Sequence, residues 1–371
     1  MPIAPLHGHL AIRARLLAAR ARGALPASLL LQGPPGVGKQ RLALWLAQTL
    51  LCGTADGARG AGEPCGRCQH CRYAAELTHP DLHWIFPRPR LKDGDASVDD
   101  VRADLAAATS ERVAQGGLYR PAGGLDALFV PTVRYVVQRA ATTPAMAGRK
   151  VFVVGDAERM VPQESSPEAA NALLKLLEEP PADTSLILTT SEPGALLPTI
   201  RSRVASLRVA PLGDAELRGF LADPAVAAAL RSLGVQGEPA ALTERAGGAP
   251  GRLLVGPEAQ AAEREAERLL QAALGGGRAE RMQAAASQGV SRARGAFTDV
   301  LDALARQLGA LARQATGAGA AGSAASPNPR RALAAVRGID AVERARQRAA
   351  GNVNPQLVTA ELLRELVGEL R

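Results

Sequence analysis

The stretch Leu29-Leu30-Leu31-Gln32-Gly33-Pro34-Pro35-Gly36-Val37-Gly38-Lys39-Gln40, continued by Arg41-Leu42-Ala43-Leu44-Trp45-Leu46-Ala47, decides the fold. Its first four residues form an apolar run of strand length. After Lys39 the apolar residues recur at helical spacing, so the order is strand, glycine loop, helix. Residues 33–39 fit the pattern G-x-x-x-x-G-K. In that setting small residues let backbone N–H groups curl around a phosphate, the helix N-terminus adds its positive end, and the lysine reaches the terminal phosphates. Gly33, Gly36, Val37, Gly38 and Lys39 are therefore the candidate nucleotide contacts. A tight turn with incidental glycines is the bland alternative, and the flanking strand and helix argue against it.

Working outward, strands are expected at 151–154, 185–189 and 204–209, with helical stretches such as 169–179 between them. That alternation predicts a parallel sheet covered by helices. Beyond residue 211 the pattern is helical throughout. The expected organisation is α/β plus all-α: a P-loop sheet domain over 1–210, a small helical lid over 211–256 and a C-terminal helical domain over 257–371. Residues 91–128, rich in Gly, Asp and Ala, read as an insertion or mobile loop, and 316–329 as a flexible connection.

Composition narrows the class. Of 371 residues, 47% are hydrophobic, 22% charged and only 3% aromatic, so the core must be built from Leu, Val and Ala. The formal net charge is +8, and all but four of the basic residues (Lys39, Lys92, Lys150, Lys175) are arginine. Spread arginine is usually a solvated surface, and gives only a weak vote for a nucleic-acid partner. No apolar run of about 18 residues is present to span a bilayer. Arg and Gly interrupt the first 31 residues before a signal-peptide core forms, so a cytoplasmic compartment and no membrane partner are expected.

Five departures and clusters bear on the chemistry. After the loop lysine, Ser or Thr is expected to hold magnesium; the residue is Gln40, whose longer side chain puts its oxygen in the wrong place for a tight octahedral shell. The strand at 151–154 should end in two acids, one for magnesium and one to orient water. It ends in Gly155-Asp156-Ala157-Glu158, so one acid is missing and Asp156 alone is the candidate. Cys52, Cys65, Cys68 and Cys71, the only cysteines, are spaced C-x12-C-x2-C-x2-C. This closed set of four thiolates predicts a structural zinc knuckle over 52–71. Iron–sulfur ligation suits similar spacing, and free thiols are the bland reading; His70 is expected to be a solvent-facing bystander. Leu188-Thr189-Thr190-Ser191-Glu192-Pro193 places hydroxyls at the top of a strand, where ligands sit in open α/β sheets, making Thr190 a further candidate contact. Thr199-Ile200-Arg201-Ser202-Arg203-Val204 could be mere surface charge.

The phosphate loop, the cysteine knuckle after its helix, Asn171-Ala172-Leu173-Leu174-Lys175-Leu176-Leu177-Glu178-Glu179-Pro180-Pro181 and Ser202-Arg203, in that order, resemble the bacterial clamp-loader AAA+ subunits, the gamma/tau and delta-prime kinds. Thr78-His79-Pro80-Asp81, Val133-Arg134, Gly148-Arg149-Lys150-Val151 and Asn352-Val353-Asn354-Pro355 extend the resemblance over nearly the whole chain, except 91–128 and the segment near residue 320. The resemblance implies an AAA+ domain with inserted zinc knuckle, a helical lid and an oligomerising C-terminal collar. It gives Arg203, with Ser202, the role of an arginine finger reaching the ATP of a neighbouring subunit; Val204 stands where Cys is usual. It implies gamma/tau and delta subunits as partners in a hetero-pentameric ring that loads a sliding clamp on primed DNA for DNA polymerase III. Gln40, Gly155-Asp156 and the displaced lid arginine, Gly251-Arg252, favour the delta-prime kind: ATP or ADP could still bind, and the departures argue against hydrolysis. An active gamma/tau-type ATPase and a zinc-containing DNA-binding repair protein are the alternatives.

Overall fold

The computed structural model describes residues 2–54, 62–91, 96–120, 126–160, 167–288, 294–315, 328–350 and 353–370. Of the connection expected at 316–329, residues 316–327 lie outside the described residues, as does Asn352. The chain divides into two compact units, Met1–Leu254 and Val255–Arg371.

The first unit runs α1 (Leu10–Ala21), β1 (Ser28–Gln32), α2 (Lys39–Leu51), α3 (Gln69–Ala75), β2 (Leu82–Ile85), α4 (Val98–Ala114), α5 (Val130–Ala140), β3 (Lys150–Val154), α6 (Pro167–Glu178), β4 (Thr184–Thr190), α7 (Pro198–Arg201) and β5 (Ala205–Arg208), then α8 (Asp214–Ala222), α9 (Pro224–Ser232) and α10 (Pro239–Ala246). The five strands form one parallel sheet in the order β2-β3-β4-β1-β5. Every residue of β2, β3 and β4 is buried. Successive strand side chains point to opposite faces, so the sheet is covered on both sides. β1 lies between β4 and β5, with Leu31 paired to Thr189 and to Leu207. The loop that follows β1 therefore opens at the C-terminal ends of its neighbours.

Two expectations change here. Leu82-His83-Trp84-Ile85 is a fifth strand; it is short, and burial on both faces removes the alternation that would have marked it. Residues 91–128 hold the 17-residue helix α4 rather than only a mobile loop, although 92–95 and 121–125 lie outside the described residues. Its start is fixed by a capping box: the Asp100 N–H donates to Ser97 Oγ (3.1 Å) and the Ser97 N–H to Asp100 Oδ2 (2.9 Å). Val101, Leu105 and Ala108 of α4 are buried, and the helix packs beside β2.

Helices α8 to α10 and a 3₁₀ turn, Pro250–Leu254, form a helical lid whose own apolar core includes Leu217, Phe220, Val226, Leu230, Leu242 and Leu253. The second unit contains α11 (Pro257–Leu274), α12 (Arg278–Ala286), α13 (Arg294–Ala315), α14 (Pro329–Ala350) and α15 (Pro355–Leu370). Leu269, Leu301, Leu304, Leu308, Val342, Leu362 and Leu366 fill its core. Among the described residues no helix is long and apolar enough to cross a membrane.

Candidate functional site

The loop between β1 and α2 is held from three directions. The His9 ring, buried, lies 2.8 Å from the Val37 carbonyl through Nε2; burial keeps its pKa below the usual histidine value, so the neutral ring donates through Nε2. The Gly251 N–H of the lid turn donates to the Gly36 carbonyl at 2.9 Å. A Cβ on Gly251 would lie 2.6 Å from Gly36 Cα, and Gly36 itself has φ +79°, so neither position takes a side chain without displacing the loop from the lid. The Arg252 side chain lies against Gly247, whose Cβ would fall 3.1 Å from Nη1. Gly33 meets the Val209 carbonyl, and its N–H donates to Thr190 O at 3.2 Å. Thr190 is buried, and its hydroxyl accepts from the Glu192 N–H at 3.1 Å.

Lys39 is 5% exposed, and its ammonium donates to the carbonyls of Gly33 and Pro34 and to Ser191 Oγ, each at 2.9 Å. An ammonium has three donors, so all are engaged within the protein. Burial lowers its pKa, while the nearby charges of Asp156 and Glu158 raise it. Ser191 and Glu158 are the residues the sequence reading missed. The Ser191 N–H donates to Glu158 Oε1 at 2.9 Å, and Glu158 Oε2 is buried with no hydrogen-bond partner. Burial raises the Glu158 pKa. The turn that returns this carboxylate toward the loop begins at Asp156, which adopts the left-handed φ of 49°, a backbone signal that residue spacing does not carry. The strand end thus lacks a second acid, but one arrives three residues after Gly155.

Gln40 is buried and bonded at both ends: its amide nitrogen donates to Asp156 Oδ2 at 3.1 Å, and its oxygen accepts from Trp84 Nε1 at 2.9 Å. Gly155 is its complement. A Cβ there would lie 2.5 Å from the Cδ, Nε2 and Oε1 atoms of Gln40. The space beside the strand end is filled by a carboxamide, and the glycine leaves room for it.

Arg203 follows α7 at the surface. Its Nε donates to Glu178 Oε1 at 2.5 Å, and its Nη1 to Thr199 O at 2.8 Å and Ser202 Oγ at 3.3 Å. Ser202 Oγ donates in turn to Thr199 O. Arg203 and Lys39 thus belong to separate hydrogen-bond networks.

Cys52, directly after α2, and Cys65, Cys68 and Cys71, around the start of α3, bring their sulfurs within 4.8 Å of one another, and none is in a disulfide. Cys52–Cys68 and Cys65–Cys71 are separated by 4.0 and 3.9 Å. A tetrahedral ion with metal–sulfur bonds of about 2.3 Å needs sulfurs about 3.8 Å apart, so the four residues fit a metal ion. The Cys68 and Cys71 N–H groups donate to the Cys65 and Cys68 sulfurs at 3.3 and 3.4 Å, a supporting shell for thiolates. His70 is not the expected bystander. It is half-buried, and its Nδ1 lies 2.9 Å from His79 Nε2. Because His79 Nδ1 accepts from the Asp81 N–H, its Nε2 carries the proton and donates to His70. Asp81 accepts from the N–H groups of Ala145, Met146 and Ala147 at 2.6, 2.8 and 2.7 Å. Thr78-His79-Pro80-Asp81 thereby ties the knuckle to the turn before β3.

A five-stranded parallel sheet with a G-x-x-x-x-G-K loop after β1 and a helical lid resting on that loop is the AAA+ P-loop architecture. The family model described as DNA polymerase III, delta subunit, matches residues 9–213, more than half of the chain, and the chain belongs to that family. DNA polymerase III subunit delta' of Pseudomonas aeruginosa is 39% identical over 174 residues, 47% of this chain and 40% of that protein. The delta' subunit of Escherichia coli is 32% identical over 184 residues, 50% of this chain and 42% of that protein. DNA polymerase III subunit gamma/tau of Mycobacterium tuberculosis H37Rv is 29% identical over 211 residues, 57% of this chain and 29% of that protein. The chain thus matches less than half the length of each of these relatives.

Proposed function

We propose that this chain is a clamp-loader subunit of the delta-prime kind, acting in DNA polymerase III as a fixed member of a ring that also contains gamma/tau and delta subunits. The observation that carries the reading is the Gln40–Gly155 pair. Residue 40 would have to offer a hydroxyl and residue 155 a carboxylate to hold magnesium; instead a carboxamide bonded to Asp156 and Trp84 fills the space. With all three Lys39 donors engaged as well, the chain is built to keep the loop's shape, with or without ATP or ADP in it, rather than to turn nucleotide over. Its contribution to catalysis is Arg203, offered to ATP on a neighbouring subunit. A guanidinium placed against the transferring phosphoryl group is worth about 10³ to 10⁵ in rate. Its bonds to Glu178 and Thr199 are surface contacts that exchange cheaply. Zinc is the proposed occupant of the thiolate cluster, where it would cross-link the end of α2 to the start of α3. The ring's substrates are the sliding clamp and primed DNA, and the compartment is the cytoplasm.

An active ATPase of the gamma/tau kind has one observation in its favour: Glu158 stands close enough to Lys39 to affect its charge. ATP turnover separates the two. It is measured for the chain alone, for a gamma/tau partner alone and for the reconstituted ring with clamp and primed DNA, each with native chain and with Arg203→Ala. The proposal expects a silent lone chain and a ring slowed at least about 100-fold at each affected site by Arg203→Ala. A lone chain whose turnover disappears with Lys39→Ala, in a ring indifferent to Arg203, would establish the active ATPase instead.

A further inference from the structure

The insertion between β2 and α5 reaches from the sheet to the lid. On the sheet side, Arg88 Nε and Nη2 donate to the two oxygens of Asp104 on α4 at 2.8 and 2.9 Å. In its last turn, α4 places the Arg112 guanidinium over the rings of Phe86, Tyr119 and Trp84, with centroids 3.3, 3.8 and 4.7 Å away. Arg112 Nη1 is buried without a hydrogen-bond partner, so this nitrogen is held against ring faces, a contact that gains strength from exclusion of water. The chain has only two Trp, three Tyr and five Phe. Three of those ten rings surround one arginine, so the cage is a specific construction rather than a by-product of an aromatic-rich core. Trp84 is also the donor to Gln40, which puts the cage beside the filled position at the end of β3.

On the lid side, the chain leaves α4 through Gly116 and Gly117, both at positive φ. The Ala4 N–H donates to the Gly116 carbonyl at 2.7 Å. A Cβ on Gly116 would touch Ala229 of α9 at 3.2 Å, so the lid helix rests on this turn. Leu118, 8% exposed, then enters the lid's own apolar core with Leu217, Val226 and Leu230. Tyr119, the next residue, returns to the cage.

We infer that residues 97–119 are a strap that fixes the lid to the sheet: Arg112 seats one end in the cage of Trp84, Phe86 and Tyr119, and Leu118 anchors the other in the lid. The lid is thereby held by the chain itself and does not depend on a bound nucleotide for its position. This deepens the reading of the chain as a fixed ring member and rests on that reading for its purpose, while the strap itself is tested in the lone chain.

Hydrogen exchange of the full-length chain tests it, with the amides of α8, α9 and α10 compared against those of β3 and β4. Arg112 sits over the rings of Phe86, Tyr119 and Trp84, whereas Leu118 packs in the lid core, so the two substitutions probe opposite ends of the strap. Arg112→Ala is expected to accelerate lid exchange about tenfold or more while β3 and β4 keep their protection. Leu118→Ala is expected to do the same by a larger factor, and the volume-conserving Leu118→Met to retain most of the native protection. ATP with magnesium, added to the native chain, is expected to change lid exchange less than about twofold. An unchanged lid in Arg112→Ala would overturn the strap, as would parallel acceleration of lid and sheet in both alanine variants. Strong protection of the lid by ATP and magnesium would overturn it too. None of these outcomes bears on ring turnover with Arg203→Ala, so the strap and the trans-finger reading can fail separately.

Discussion

Replacing Gly155 by alanine puts one methyl group into the space that the Gln40 carboxamide fills. The ideal Cβ would lie 2.5 Å from three Gln40 atoms, about 1 Å inside ordinary carbon contact. Gln40 cannot swing aside without losing its bonds to Asp156 and Trp84. Overpacking of this kind costs about 1 to 3 kcal/mol, and a buried polar group left without its partner adds about 1 to 3 kcal/mol, so Gly155→Ala should destabilise by about 2 to 6 kcal/mol. In a Gln40→Ala background the obstacle is gone, and the same substitution should cost less than about 0.5 kcal/mol. The interaction between the two changes should therefore be at least about 1.5 kcal/mol, well above the roughly 0.5 kcal/mol within which independent sites add. Urea unfolding followed by tryptophan emission is the assay. Both tryptophans, Trp45 and Trp84, lie in Met1–Leu254, so the signal reports that unit without contamination from the other. Additive losses would show that the carboxamide is not what excludes a side chain at position 155, and the argument for a filled metal position would fall with it.

His83 is buried, stacked on Phe152 and bonded through Nδ1 to Tyr135; burial first, then the charge of Arg139, lowers its pKa to about 4. A folded-state value below the unfolded one means that His83 favours the fold above pH of about 6.5 and withdraws that support as pH falls toward 4. It amounts to about 3 kcal/mol in all. The urea midpoint should therefore drop between pH 7 and 5, and His83→Gln should flatten part of that drop; a variant with an unchanged pH profile would contradict the assignment. Removing the metal with a strong chelator should release about one ion per chain and loosen α3 together with the 145–147 turn, because His70, His79 and Asp81 link them; hydrogen exchange would detect it, and protection unchanged after release would contradict the linkage. Arg203→Ala breaks an exposed pair with Glu178 and should cost less than about 1 kcal/mol in unfolding experiments; a larger loss would mean that its effect on the ring reports damaged folding rather than a missing guanidinium.

The sequence alone determines what is contiguous. Strand, loop and helix around residues 33–39 are legible because hydrophobic period and glycine placement act within a dozen residues. The thiolate cluster is legible because three of its members fall within seven residues, where two overlapping C-x2-C turns put them on one knuckle. The loss of a hydroxyl at residue 40 and of an acid at residue 155 can each be read singly. That they answer each other cannot, because 115 positions separate them and only the order β2-β3-β4-β1-β5 brings the end of β3 beside the start of α2. The same holds for Ser191 and Glu158 at Lys39, for β2 with its alternation erased by burial on both faces, and for the strap. Arg112 in an arginine-rich chain carries no mark of its own, and becomes distinctive only where packing gathers three scarce rings around it. Local periodicity fixes the elements, whereas partners that depend on sheet register and on the path of an insertion exist only once the elements have packed.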